Sequence, residues 1–154
     1  MSKLGFLVAV SVVSLGAAVG AWYYKYQLYG WLPSTASSEL KNVDGLLMDK
    51  EGKPFTGRVK DISDSGYSLY AYKDGKLDGL NVVFSEGQLR EIGHWENGEQ
   101  NGLFEAWTDK GVLVDHGIFK DGERDGETVQ YWPDTGKLKV KAQYRAGKLN
   151  GLDR

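Results

Sequence analysis

The sequence predicts an all-β protein: an antiparallel meander of repeated β-hairpins, an elongated curved sheet, preceded by one transmembrane helix. Three observations carry the prediction. Glycine-bearing hexamers return at a nearly fixed period. Apolar and aromatic residues between them stand an even number of positions apart. The chain opens on a long run without charge.

The opening run is "LGFLVAVSVVSLGAAVGAWYY", residues 4–24, with Lys3 and Lys25 on either side. Coiled as a helix it would be about 31 Å long, enough to cross a hydrocarbon core. It has no polar face, and Trp22, Tyr23, Tyr24 and Tyr26 follow as an interfacial aromatic belt would. Residues 1–29 are therefore expected as a transmembrane helix or signal anchor. The short tail carrying Lys3 favours a cytoplasmic N-terminus and an extracytoplasmic repeat domain. The alternative is secretion after signal cleavage, with Val19 and Ala21 as the small residues of the cleavage site. Gly16 and Gly20 form a GxxxG pair that offers a face for homo-oligomerisation. Residues 30–40 then read as a linker, because Pro33 breaks the pattern and small polar residues follow without periodicity.

From residue 41 to 154 the chain is a repeat. "DGKLDG", "NGEQNG", "DGERDG" and "AGKLNG" open on Gly75, Gly98, Gly122 and Gly147 and close on Gly79, Gly102, Gly126 and Gly151. All eight glycines are expected in the turns that define the repeat. "EGKPFTG" is a looser copy with Gly52 and Gly57, and intermediate turns are expected around Gly66, Gly87, Gly111 and Gly136. A period of this size marks a repeat array. Three residues before each first glycine stands an aromatic: Tyr72, Trp95, Phe119 and Tyr144. Two residues earlier come Gly93, Gly117 and Ala142, so the aromatic is expected to lie over a small residue of the next strand. Phe84, Trp107 and Tyr131 mark the partner strands, with Val82, Glu105 and Val129 on their face. Each repeat is thus two strands and two turns, and the glycines supply the positive φ that tight hairpins need.

These motifs resemble the bacterial MORN-repeat variant family, the YwqK-type proteins labelled antitoxins. They are "GKPFTG" (52–57), "YKDGKLDG" (72–79), "HWENGEQNG" (94–102), "IFKDGERDG" (118–126) and "QYRAGKLNG" (143–151). The resemblance covers roughly residues 43 to 151. It departs at the entry, where the first strand holds Ile62 in place of the later aromatic. It implies a curved single sheet used as a scaffold and contact surface.

Chemistry is sparse. Lys and Arg number 19 and Asp and Glu 21, a net charge of −2 with no basic stripe, so a nucleic-acid partner is not expected. There is no Cys, which excludes disulfides, thiolate metal sites and cysteine nucleophiles. Asp121, Glu123, Asp125 and Gly126 imitate the start of a calcium loop, but the twelfth position is Trp132 where a bidentate Glu is needed. No Lys-Ser or Lys-Thr follows any hexamer, so none is a phosphate loop. His94 and His116 are the only histidines; they are placed to share a sheet face but have no triad or ligand spacing. No catalytic, cofactor or metal site is expected.

The expected function is a membrane-anchored scaffold that presents a sheet surface to a protein partner. Phe104, Ile118, Trp132, Arg90 and Lys141 are its candidate contact residues. The alternatives are an antitoxin or immunity protein, and, further off, a small hydrolase or an envelope glycan binder.

Overall fold

The structure, a computed structural model, describes residues 32–152. They form a meander. An 11-stranded sheet runs in the order β1 (Thr35–Ala36), β4 (Gly57–Ser63), β5 (Gly66–Lys73), β7 (Gly79–Ser85), β8 (Gln88–Glu96), β9 (Glu99–Trp107), β10 (Leu113–Lys120), β11 (Glu123–Tyr131), β12 (Leu138–Arg145) and β13 (Lys148–Leu152). The short β6 (Lys76–Leu77) pairs with β5. A separate ribbon joins β2 (Lys41–Val43) to β3 (Leu46–Met48). Every pairing in the large sheet is antiparallel except β1 with β4.

The only helical element among the described residues is a three-residue 3-10 turn, Ser37–Glu39. The helix expected over residues 1–29, with its Gly16/Gly20 packing face, lies outside the described residues. Among the described residues no helix is long and apolar enough to cross a membrane. The fold class is therefore corrected to all-β for the described residues, and the expected single-pass membrane placement is corrected with it, since no spanning helix is present among them. The physical reason lies in the turns. Glycines return so often that no described segment is long enough for a span, and the apolar residues follow a period of two. The stretch 30–40, expected as a linker, contains β1 and the 3-10 turn; the Ser37 hydroxyl donates to the Asp61 carboxylate.

Six tight turns have positive φ at both central residues: Asp44-Gly45, Asp74-Gly75, Glu86-Gly87, Asn97-Gly98, Asp121-Gly122 and Ala146-Gly147. This is the type I′ signature, whose twist matches that of the flanking strands. Each hexamer begins with such a turn, as expected for Gly75, Gly98, Gly122 and Gly147.

The second glycines were expected in turns too, and here the structure corrects the sequence. Gly79, Gly102, Gly126 and Gly151 all lie in strands, at the start of β7 and within β9, β11 and β13. Gly102 has φ 111°, and a Cβ there would stand 3.1 Å from the Cβ of His94. It sits where the β8–β9 register shifts, with Gly93 opposite Phe104 but Trp95 opposite Gln100. Beyond this bulge Gly102 faces Phe119 on the next strand. Gly57, Gly79 and Gly126 face Tyr72, Trp95 and Tyr144 in the same way.

Gly151 departs furthest from the expectation. Its φ lies outside the left-handed region that Gly79, Gly102 and Gly126 occupy. It pairs back with Gln143, and a Cβ there would meet only the Gln143 Cβ at an ordinary 4.0 Å. Neither a turn nor a close approach requires glycine at this position. The reason is its place at the end of the meander: among the described residues no strand follows β13 to lay an aromatic against it.

Gly66 also differs from the expectation of a turn. The turn is Asp64-Ser65, and Gly66 is the first residue of β5. Glycine is required there because a Cβ would collide with the backbone carbonyl of Phe84. Gly111 and Gly136 lie in longer loops, closed by Thr108 N–H to the Val112 carbonyl (2.9 Å) and Trp132 N–H to the Lys137 carbonyl (2.8 Å).

The two faces of the sheet are built differently. One cross-strand row runs Leu69, Val82, Ile92, Glu105, His116, Val129, Lys141. Leu69, Val82, Phe84 and Ile92 form its buried core, with Tyr67, Leu80, Leu89, Leu103 and Trp107 packed against them. We call this the aliphatic face. Each of the large buried side chains contributes about 1.5–3 kcal/mol of burial free energy. The opposite row runs Asn81, Gly93, Phe104, Gly117, Thr128, Ala142. This is the glycine face.

Candidate functional site

The glycine face gathers the repeat aromatics. The Trp95 indole Nε1 lies 3.3 Å from where a Gly93 Cβ would stand, and the Phe104 ring lies 3.6 Å from the same point. Phe104 meets Phe119 edge-on, with centroids 6.0 Å apart. The Arg124 guanidinium lies 4.9 Å from the Phe119 centroid and directly over Gly117. It also donates to the Asp115 carboxylate (2.6 Å) and to the Thr128 hydroxyl (3.1 Å). A planar guanidinium can stack and form ion pairs at once, which a lysine cannot.

The expected aromatic cover over a small residue of the next strand therefore takes another form. Trp95 shelters the glycine two positions before it on its own strand. Over Gly117 the sheltering group is Arg124, from the neighbouring strand. Arg124 occupies the second position after the first glycine of its hexamer; Leu77, Gln100 and Leu149 are its counterparts. Residues of such different character hid that position from pattern reading. The side-chain amide of Gln100 likewise reaches over Gly93, at 3.6 Å.

Alternation along the strands puts Tyr72, Trp95, Phe119 and Tyr144 on the glycine face, and Phe84, Trp107 and Tyr131 on the aliphatic face. Tyr67 stacks on Phe84 at 5.0 Å. Burial, then the nearby Tyr70 and Asp61, push the Tyr72 hydroxyl above the usual phenol range. Glu91, between Val83 and Ala106 in register, is held above the usual carboxylate range by partial desolvation.

The five expected contact residues do not converge. Phe104 is half-buried on the glycine face. Ile118 and Lys141 belong to the aliphatic face, with Ile118 beside Leu103 and Lys141 paired to Glu127 at 3.2 Å. Arg90 is the extra residue of the β7–β8 bulge and reaches Glu86 at 3.4 Å. Trp132 is exposed in the loop after β11, with the Lys139 ammonium 4.9 Å from its ring centroid.

His94 and His116 do share the aliphatic face, and each is engaged separately. A ring nitrogen of His94 lies 3.3 Å from the Leu103 carbonyl, and one of His116 lies 2.9 Å from Glu105. Among the described residues no group of three or more His, Asp or Glu side chains is arranged to hold a metal ion. Asp121 forms its I′ turn, and the Glu123 carboxylate stands beside Gly147 of the following turn. Two open clefts flank the β2–β3 ribbon. One, of about 400 Å³, is lined by Glu39, Lys41, Met48 and Lys50; the other, of about 300 Å³, by Asn42, Leu47, Tyr72 and Asn97.

The chain matches no protein-family model and no curated protein sequence. The resemblance to MORN-type repeats rests on the hexamers and their spacing alone.

Proposed function

We propose that this chain is a MORN-type β-repeat interaction protein, without enzymatic activity, whose glycine face receives a protein partner. One observation carries the reading: Trp95, Phe104, Phe119 and Arg124 cluster on that face over a floor of Gly93 and Gly117. Aromatic and arginine side chains held rigidly by their neighbours are the residues that concentrate binding energy at interfaces. Glycine at these two positions lets the Trp95 and Phe104 rings and the Arg124 guanidinium lie close against the backbone, which fixes them in place. Long antiparallel hairpins hold these groups on strands, where their positions are fixed better than on loops.

The test is affinity capture with the full chain, run beside Trp95→Ser, Phe119→Ser and, as a control away from the cluster, Lys110→Ser. A partner held by the parent and by Lys110→Ser, but lost by both aromatic variants with their β-sheet circular dichroism intact, supports the reading. A partner retained by all four proteins refutes the assignment of the glycine face. If the captured partner is a toxin that the chain inactivates, the interaction is that of an antitoxin.

A further inference from the structure

We propose that the outer edge of β13 is a second docking site, which receives an extended acidic segment of a partner protein as an added strand. Residues 135–152 hold five of the chain's 19 basic side chains and none of its 21 acidic ones. The net charge of −2 conceals this local excess. Lys141 is paired with Glu127 of β11, and the Lys139 ammonium lies over the Trp132 ring. Lys137, Arg145 and Lys148 form no ion pair among the described residues.

The earlier turns show what such a hairpin is matched with. Lys73 stands opposite Lys76, and the next tight turn along the sheet brings Glu96 opposite Glu99. The two turns touch, with Gly98 against the Lys76 stem. Arg145 and Lys148 are again two cations directly opposite each other, an arrangement that costs stability unless a negative charge lies close. On the inner side Glu123 stands beside Gly147. On the outer side no described strand follows. An incoming strand that continues the alternation of sign is acidic.

The backbone asks for the same partner. The carbonyls of Leu77, Gln100 and Arg124 each accept the amide of the next turn's glycine. Leu149 holds the same place in the last hexamer, and no described turn follows to donate to it. Lys148, Leu149, Asn150 and Gly151 are all exposed, whereas β9 and β11 are exposed only at their first residues. Neither its φ nor a neighbouring atom requires glycine at 151, but a bare Cα lets a second backbone come close. A strand edge presents donors and acceptors in alternation, so its complement is another polypeptide backbone. A phosphate surface would offer acceptors alone. Basic side chains along the edge also discourage basic strands, and so select the acidic one.

The probe is a fluorescein-labelled peptide of five Glu-Val repeats, titrated with the full chain and read by anisotropy. Binding is expected for this peptide and not for its Lys-Val counterpart. Arg145→Glu/Lys148→Glu should weaken the Glu-Val peptide about ten-fold and gain the Lys-Val one. Lys41→Glu/Lys110→Glu changes the net charge equally, away from β13, and should do neither. Two further peptides carry backbone N-methyl groups on the odd or on the even residues. One pattern should be tolerated and the other should cost about ten-fold, because only one edge of the added strand meets β13. This arm uses the parent chain, so it stands even where a charge variant folds poorly. Equal binding of the two methylated peptides overturns the added strand. The proposal also falls if the parent does not bind the Glu-Val peptide, or if both double variants lose it alike. Tighter binding of oligothymidylate or of phosphatidylserine vesicles would make the hairpin a phosphate-binding surface and overturn it too. Trp95→Ser should bind the Glu-Val peptide as the parent does, so this edge and the glycine face are tested separately.

Discussion

The amide of Gly122 donates to the carbonyl of Gln100 at 3.0 Å. Gln100 stands two positions beyond the first glycine of the preceding hexamer, and the same bond recurs along the sheet. Gly98 donates to Leu77 at 2.8 Å, Gly147 to Arg124 at 3.0 Å, and Gly75 to Phe55 at 2.8 Å. The turns are therefore stacked, each tied to the one before. The I′ geometry points each amide toward the earlier strand, and the bulge at the second glycine clears room for it. Side chains reinforce the stack: the Thr56 hydroxyl accepts from the Asp74 amide at 2.9 Å, and the Asp78 carboxylate from the Asn97 amide at 3.3 Å.

Gly66→Ala is expected to be among the most damaging single substitutions. Its Cβ would meet the Phe84 backbone, which cannot rotate away as a side chain can. The cost should be about 3 kcal/mol, at the upper end for overpacking. Gly87→Ala, with positive φ but open space around it, should cost only about 1–2 kcal/mol. Urea denaturation of the two variants side by side checks the order; equal losses would refute the collision.

Ala146→Asn should stabilise the protein. Ala146 holds φ 46°, a conformation that asparagine tolerates better than alanine, and it is exposed. A gain of about 0.5–1 kcal/mol is expected, read as a higher midpoint in thermal unfolding.

Arg124→Ala should destabilise by about 2–4 kcal/mol. It leaves the Asp115 carboxylate without its partner, and Asp115 Oδ1 is already buried without a hydrogen bond. Removing both charges in Asp115→Ala/Arg124→Ala should cost less than the sum of the two single changes. A double-mutant cycle in which the two changes simply add, as independent sites do, would remove the pair from the account.

Glu91→Gln should stabilise the protein at pH 7 and not at pH 4. The folded-state pKa is raised, so folding is penalised once the pH exceeds that value and the carboxylate ionises. Below the unfolded value of about 4.3 the group is protonated in both states and the penalty is absent. Chemical denaturation at the two pH values measures the difference. An advantage for Gln that persists at pH 4 would point to another cause.

Much of this fold was legible in the chain. The I′ turns at Asn97-Gly98 and Asp121-Gly122 and the alternation of Trp95 with Gly93 are local chemistry, and local chemistry is what a sequence displays. Gly66 was misread because a close approach to Phe84, 18 positions away in the chain, leaves no local mark. Gly151 was misread for the opposite reason. It carries the local mark of its hexamer, but the neighbouring strand that gives the mark its meaning elsewhere does not follow it. The scatter of Phe104, Ile118, Trp132, Arg90 and Lys141 has another origin. Bulges near the second glycines and at Arg90 shift the register, and each shift exchanges faces for the residues beyond it. The Arg124 cluster was invisible because it is assembled from two strands and depends on one residue type appearing in one repeat only.

Turn stacking bears on how such a protein changes its size. The bond from each first glycine reaches a carbonyl of the preceding unit and makes no demand on the side chain there, so Leu77, Gln100 and Arg124 serve equally. A stretch from one hexamer to the next, 23 to 25 residues, can be excised or duplicated and its cut ends will rejoin like to like. The seam would inherit a donor and an acceptor already in place. The backbone thus favours changes of length in whole increments, while side-chain pairs that cross a seam, such as Asp115 with Arg124, set which increments are free of cost.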